Sequence, residues 1–522
     1  MAYLTVSSAL PYESLPARRL GEPTPLLPQS LARSYGELIW ITLQRARTAR
    51  EALGVMDALC TAYGYESSGE SFGVADGDEV WLLELIGKGK YGRGAVWVAS
   101  RVPDGYVGAT SNQARTTTFN QSDPANVLFS ADVISFARSI GAYPAGAPDA
   151  DFNFREAYDP ITFSGARFGE ARVFNMFNLA CDGCVEPYLD FARGWNLSVS
   201  MPLFVPVAAK LSLDDVMSIM RTHFDNTWFD NRGITRPDIG AGPGHSPYRF
   251  RPLVWANAKD GHSYLNERTV GTQQSGWAFV AQSRGWLPPP IRAVSWFAPD
   301  DSTTSPRIPT YGGATRIPPS FGSRVGQVPG AGVPYAPVAD SWTMSLDSAF
   351  WVWNLVGNVA FSERFEEGFA LILNSTLAEQ ARMAALAADM EAEFVALYDP
   401  AEPAPALELA SAFMVATGED MTMRWRALWM KLFAIYRDGT VFSAPETTQC
   451  SGGNVVNCTA KLEAVAHEEG YDQDYRARIV ADSDNAVRYR VPDAAVNGEL
   501  DRAKRAVLAG KRRARVAPTR AD

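Results

Sequence analysis

No run of 18 or more apolar residues occurs in the 522-residue chain, so no membrane-spanning helix is expected. Histidine is scarce. The four, His223, His245, His262 and His467, are not clustered, and Cys181 and Cys184 form a lone C-x-x-C without two further ligands at zinc spacing. No metal or other cofactor is therefore expected. Positive charge is outweighed, 48 Lys and Arg against 58 Asp and Glu, a net −10 that argues against a general nucleic-acid binder. The exception is RAKRAVLAGKRRARVAPTR (502–520), with eight basic residues and no acid, which reads as a solvated tail. The N-terminus lacks a basic n-region before its modest apolar start, so no signal peptide is read there.

What is present suits a large packed core: 46% of residues are hydrophobic and 11% aromatic. Residues 1–33 are Pro-rich and irregular. Ser34 and Glu37 fit a capping box, and Ile39, Leu43, Ala46, Ala49, Leu53, Met56 and Cys60 follow as one helical stripe, with Gly64 as its stop. Four strands are predicted next, at 71–76, 79–86, 95–100 and 106–111, the first two around an Asp-Gly turn. The second is apolar on both faces (Val80, Leu82 and Ile86; Trp81, Leu83 and Leu85), which predicts an antiparallel sheet covered on both sides. Gly87, Gly89 and Gly92 have dinucleotide spacing, but a strand rather than a helix follows, so a flexible hairpin loop is expected. A helix is expected over 210–227, started by Ser212 and Asp215, with His223 at the surface or capping its end. Strands are expected at 276–284, 291–298 and 307–313, and helices from about 345.

Two stretches carry candidate chemistry. In DGYVGATSNQAR, Asn112 directly follows a strand, where its amide can donate to an oxyanion or shape a turn. In VAQSRGWLPPPIRAVSWFAPDD (280–301), Arg284 can grip a carboxylate or pair with a neighbouring acid to pin the loop. Asp300 and Asp301 can hold an amine or cap a turn, and Trp286 with Pro288, Pro289 and Pro290 reads as a rigid cap over the core. Cys450 and Cys458 flank a short loop that a disulfide could close. Sequons stand at Asn120, Asn196, Asn374 and Asn457, and these features matter together only in a secreted or lysosomal chain.

LQRARTAREALGVMDAL, GYESSGESFGVADGDEVWLLEL, RVPDGYVGATSNQAR, KLSLDDVMSIMRTHFDNT, FVAQSRGWLPPPIRAVSWFAPDD and DSAFWVWNLVGNVAF, in this order, resemble the dipeptidase A/secernin family of cysteine peptidases, a branch of the N-terminal-nucleophile hydrolases. RALWMKLFAIYRDGTV looks like the family's late segment, so the resemblance runs from about 33 to 440. It implies an α+β fold, a four-layer αββα sandwich of antiparallel sheets over 34–340, beside which the residues themselves read as a helical region over 341–440 and a polar, basic tail over 441–522. It implies hydrolysis of short peptides by a cysteine exposed at the mature N-terminus, whose own amine acts as base. It also implies an oxyanion role for Asn112 and charged substrate contacts from Arg284, Asp300 and Asp301. The chain begins Met1-Ala2 instead, and Cys60 lies on a helix face. The expectation is a start that lacks the nucleophile, the alternative a non-catalytic, secernin-like binding protein. A small peptide is the expected partner. Oligomeric state and compartment are not specified by these residues.

Overall fold

The computed structural model describes residues 2–5, 34–230, 254–258, 260–265, 267–324, 336–363, 365–436, 440–442 and 464–466, and single positions at 246, 248, 477 and 481. The chain divides into two units, Met1–Val465 and Ala466–Asp522, and the helices and sheets of the described fold belong to the first. The candidate bridge of Cys450 and Cys458, Asn457 and the basic 502–520 segment lie outside the described residues.

After β1 (Ala2–Thr5), the first helical pattern resolves into two helices, α1 (Tyr35–Arg45) and α2 (Ala49–Tyr63). The expected capping box is present: Glu37 N–H donates to Ser34 Oγ at 3.4 Å and Ser34 N–H to Glu37 Oε2 at 3.0 Å. The single stripe is corrected. Thr48 caps a new start by accepting from Glu51 N–H at 3.2 Å, and the break rotates α1, so Ile39 and Leu43 face outward, Leu43 at 77% exposure. α2 keeps the expected face, with Ala49, Leu53, Met56 and Cys60 buried and Gly64 at the C-cap (φ 88°), a left-handed position that suits glycine.

β2 (Gly69–Ala75), β3 (Val80–Gly87) and β4 (Ala95–Arg101) form an antiparallel meander, Leu83 standing opposite both Phe72 and Ala99. The glycine-rich stretch after β3 is the expected hairpin connection, with Lys88 N–H donating to Gly94 O at 3.0 Å. The fourth strand of this sheet is not β5 (Tyr106–Thr110) but β6 (Val127–Phe129), beside β4. The 103–105 turn, with Gly105 at φ 80°, carries the chain out of the sheet, and β5 pairs with β1 and later with β7. Both faces of the β2–β3–β4–β6 sheet are covered. Trp81, Leu83 and Leu85 pack with α1 and α2. Val96 and Val98 pack with α3 (Val133–Ser139) and with Phe154 and Tyr158 of α4 (Phe154–Tyr158).

A turn of helix, α5 (Phe163–Gly165), runs through a π-helical segment (Ala166–Glu170) into α6 (Ala171–Ala180). Cys181 and Cys184 form a disulfide beyond it. α7 (Leu189–Ala192) leads to β7 (Phe204–Pro206). The predicted 210–227 helix shortens to α8 (Leu213–Ile219). Its Ser212/Asp215 capping box is present, but the helix ends at Ile219, and the positive φ of Phe224 and Asn226 is incompatible with a helix running on to 227. His223 is correspondingly buried, its ring stacked on Tyr248 at 4.0 Å between centroids, not at the surface.

β8 (Val254–Ala256) pairs with β9 (Ser263–Leu265), and then β10 (Trp277–Ser283), β11 (Ala293–Pro299) and β12 (Ile308–Tyr311) form an antiparallel sheet. The connection from β10 to β11 contains α9 (Pro289–Arg292). Trp286 is 80% exposed and so is not the cap expected over the core. α10 (Ala349–Asn358), α11 (Phe365–Leu397) and α12 (Ala404–Ile435) close the described fold. Along α11, Met383, Ala387, Met390 and Phe394 repeat at helical spacing on the buried side. Val294, Trp296 and Ile308 share one core with Trp353, Trp425 and Phe174, so the sheet and the late helices are packed as one body. The result is a mixed α+β fold of helices on sheets that are antiparallel except where β1 runs parallel to β5.

Candidate active site

β5 ends at Thr110, and the chain turns sharply through Ser111 and Asn112. Asn112 takes a left-handed conformation (φ 55°), which asparagine tolerates better than most residues. Its Oδ1 accepts from Arg172 Nη2 at 2.7 Å. Because guanidinium only donates, this contact settles which end of the amide is the oxygen. The Nδ2 donor end belongs to an exposed side chain. Arg172, fully buried on α6, is anchored by donation from Nε to Phe168 O at 2.8 Å.

The residues after Asn112 are held by carboxylates. Asp159 accepts from Ala114 N–H at 2.9 Å and from Gln113 Nε2 at 2.7 Å. Glu84 of β3 accepts from Arg115 N–H and from Thr116 N–H, both at 2.7 Å. Burial raises the Glu84 carboxyl pKa, against the pull of those donors and of the Arg115 charge. Arg115 pairs with Glu170 at 3.0 Å and also donates to the carbonyls of Ala109, Pro202 and Leu203. These contacts tie β5, β7 and the start of α6 to one loop. The π-helical segment approaches closely: a Cβ at Gly169 would stand 2.7 Å from Ser111 O, so only glycine fits. An amide on a strand end, fixed by a buried guanidinium and a loop without slack, is the arrangement that transition-state stabilisation of an oxyanion needs.

The other candidates lie in different networks. Arg284 donates to both oxygens of Glu391 at 2.8 Å and to Ile291 O at 2.8 Å, and the Tyr311 hydroxyl donates to the same carboxylate at 2.8 Å. Of the two readings of Arg284, this geometry favours the pinned loop. Asp301 is fully buried and accepts from Thr303 N–H at 2.7 Å and Thr304 N–H at 3.2 Å, which is the turn-capping alternative. Asp300, also buried, accepts from Asn354 Nδ2 at 3.2 Å. Burial first, then the neighbouring Asp301 charge, pushes its carboxyl up to about 8. Among the described residues no hydrogen bond or ion pair joins Asn112 to Arg284, Asp300 or Asp301.

Cys60 is the free cysteine among the described residues, and burial, then the Asp57 charge, pushes its thiol up to about 12. A thiol so held is no nucleophile near neutral pH. Among the described residues no group of three His, Cys, Asp or Glu side chains is placed to hold a metal ion.

Sequence reasoning missed Arg172, Arg115, Glu170, Glu84 and Asp159. One signal was available: Glu84 interrupts a strand apolar on both faces, and such a charge is kept only with partners.

The profile described as Peptidase family C69 matches residues 16–367, more than half of the chain. Similar curated proteins include a probable dipeptidase of Latilactobacillus sakei, 22% identical over 55% of this chain and 51% of that protein. A probable dipeptidase of Salmonella dublin is 25% identical over 53% and 55%, and dipeptidase A of Lactobacillus helveticus 23% identical over 55% and 52%. The chain spans about half the length of these relatives. With a profile match running from ahead of α1 through the Asn112 loop and β10–β12 into α11, the chain belongs to peptidase family C69.

Proposed function

We propose that this chain carries the body of a cysteine-type dipeptidase, with Asn112 as an oxyanion donor and a four-layer αββα arrangement as its frame. Family membership supports the reading, as do relatives named dipeptidase and a β-sheet packed on both faces. The observation that carries it is the amide of Asn112, its oxygen held by Arg172 and its donor end on an exposed strand terminus.

The nucleophile in this reading is a cysteine outside the described residues, at a mature N-terminus. Its α-amine, with a pKa of about 8, takes the thiol proton. Sulfur bonds to the scissile carbonyl carbon, and the C=O electron pair moves to oxygen, which accepts from Asn112 Nδ2–H. Collapse breaks the C–N bond, and the amine leaves with the proton from the α-ammonium. Water then cleaves the thioester, releasing the acid and restoring the thiol. Arg172 is a positioning residue that keeps the amide from turning over. Arg284, Asp300 and Asp301 receive no substrate contact here, because their groups are engaged inside the fold.

The test is turnover of a dipeptide panel by the protein expressed from its complete gene. Asn112→Ala is expected to lower kcat about 100- to 1000-fold with little change in KM, and a thiol reagent to abolish turnover. Turnover indifferent to both overturns the reading. A folded protein that binds dipeptides without ever cleaving them supports the non-catalytic, secernin-like alternative.

A further inference from the structure

Three of the four sequons fall among the described residues, and the fold treats them differently. Asn374 lies inside α11, and the hydroxyl of its Thr376 is buried between Ile372 O at 2.9 Å and Thr304 O at 3.0 Å. At Asn120, Ser122 reaches the asparagine through its backbone, N–H to Oδ1 at 3.1 Å. Asn196 is exposed in the irregular chain between α7 and β7, where Asp190 O accepts its N–H at 3.1 Å and that of Trp195 at 2.9 Å. Its Oδ1 accepts from Ser198 twice, from the hydroxyl at 2.6 Å and from N–H at 3.1 Å. Asn196 Nδ2 has no hydrogen-bond partner among the described residues.

Beside Asn196 stands an ordered aromatic surface. Trp195 is 62% exposed and meets Trp228, 46% exposed, edge to face with ring centroids 5.5 Å apart. The Arg193 guanidinium lies against both indoles, 4.6 Å from Trp195 and 4.4 Å from Trp228, and Arg167 lies 5.2 Å from Trp228. Indoles fixed in this way present apolar faces to water with little freedom to turn away. The C–H face of a sugar ring covers such a surface while its hydroxyls stay hydrated. The disulfide supplies the condition on which the sequons depend. Cys181 belongs to the main core with Phe177 and Val185, so its bond to Cys184 is part of the packed structure. Structural disulfides persist in the oxidising, secretory compartments in which sequons are used.

We propose that Asn196 is the acceptor of an N-linked oligosaccharide whose first sugar lies over Trp195 and Trp228. The co-substrate is an oligosaccharide carried on a polyprenyl diphosphate. Asn196 Nδ2 bonds to the anomeric carbon, the anomeric C–O bond to the diphosphate breaks, the diphosphate leaves with the electron pair, and the amide gives up one proton. The Ser198 hydroxyl, donating to Oδ1, draws charge onto the carbonyl oxygen and eases that loss. This contact is between near neighbours in the chain, so the acceptor geometry forms without the completed fold. The modification does not depend on the peptidase reading.

The experiment is peptide mass spectrometry on the full protein isolated from the cells that make it. Release of the glycan by peptide N-glycosidase in heavy-oxygen water should leave a labelled aspartate at position 196, with Cys181 and Cys184 recovered bonded to each other. In the same cells Asn196→Gln and Ser198→Ala should each lose one glycan's step of electrophoretic mobility, and Ser198→Thr should keep it. Removing the glycan from the folded protein should increase the quenching of tryptophan fluorescence by acrylamide, and Trp195→Ala should reduce that increase. An unlabelled position 196, Cys181 and Cys184 recovered as free thiols, a mobility unchanged by Asn196→Gln, or quenching indifferent to the glycan overturns the proposal.

Discussion

Asp300 occupies a left-handed turn (φ 66°) against α10, where a Cβ on Gly357 would come within 2.7 Å of Oδ2. No room exists to hydrate a charge there, which is why the carboxyl holds its proton up to about 8. The folded state therefore binds a proton that the unfolded chain releases above about 4. Relative stability is greatest below the unfolded pKa and is lost as pH rises through the folded one. Asp300→Asn keeps a residue tolerant of positive φ and removes the ionisation. Denaturant melts from pH 4 to 9 should show the variant gaining on the parent chain as pH rises, the gap opening across that window. A parent chain that instead outgains the variant with rising pH would mean that Asp300 is ionised in the fold. Asn112 shares the left-handed backbone but faces outward, so local conformation alone does not separate a buried turn residue from a presented one.

At the scale of elements, the first helical pattern shows how a cap outranks periodicity. Residues 39–60 read as one stripe, yet the chain breaks over 46–48 because competing donors and acceptors converge there. Thr48 accepts from Glu51 N–H, Glu51 accepts from Arg47 N–H at 2.8 Å, and Asp76 in the β2–β3 turn accepts from Ala49 N–H at 2.8 Å. The last bond spans 27 positions, so no local window contains it. Thr48→Ala should lower stability by about 1 kcal/mol, read as a lower denaturant midpoint with unchanged slope. No loss would mean that Asp76 alone starts α2. Glu84 makes the parallel point for strands. Its presence in an apolar run was visible, but the two N–H groups it accepts from, at Arg115 and Thr116, lie 31 and 32 positions away.

For the molecule as a whole, the question is whether the late helices form a body of their own. Trp353 on α10 is enclosed by Trp425 on α12 and Phe321, and its indole N–H donates to Pro306 O at 3.3 Å beside β12. Gly418 on α12 packs against Pro318 with no space for a Cβ. A core shared in this way predicts one cooperative transition for strands and helices together. Trp353→Ala should cost about 3–5 kcal/mol and leave far-UV and near-UV circular dichroism unfolding at a common midpoint. Two separated midpoints would instead give 341–440 independence from the sheets.

Local information was enough for this protein's Ser34 and Ser212 caps, the β2–β3 and β10–β11 strand pairs and the double coverage of the first sheet. Each depends on residues a few positions apart, or on an alternation that burial imposes directly. Only the tertiary structure decided that β6 rather than β5 completes that sheet, that Arg284 spends its charge on Glu391, that His223 is stacked in the interior, and that Arg172 orients Asn112. The reason is physical. A hydrogen bond or ion pair acts over about 3 Å in space whatever the separation along the chain, and a buried charge is defined by the partners that folding brings to it.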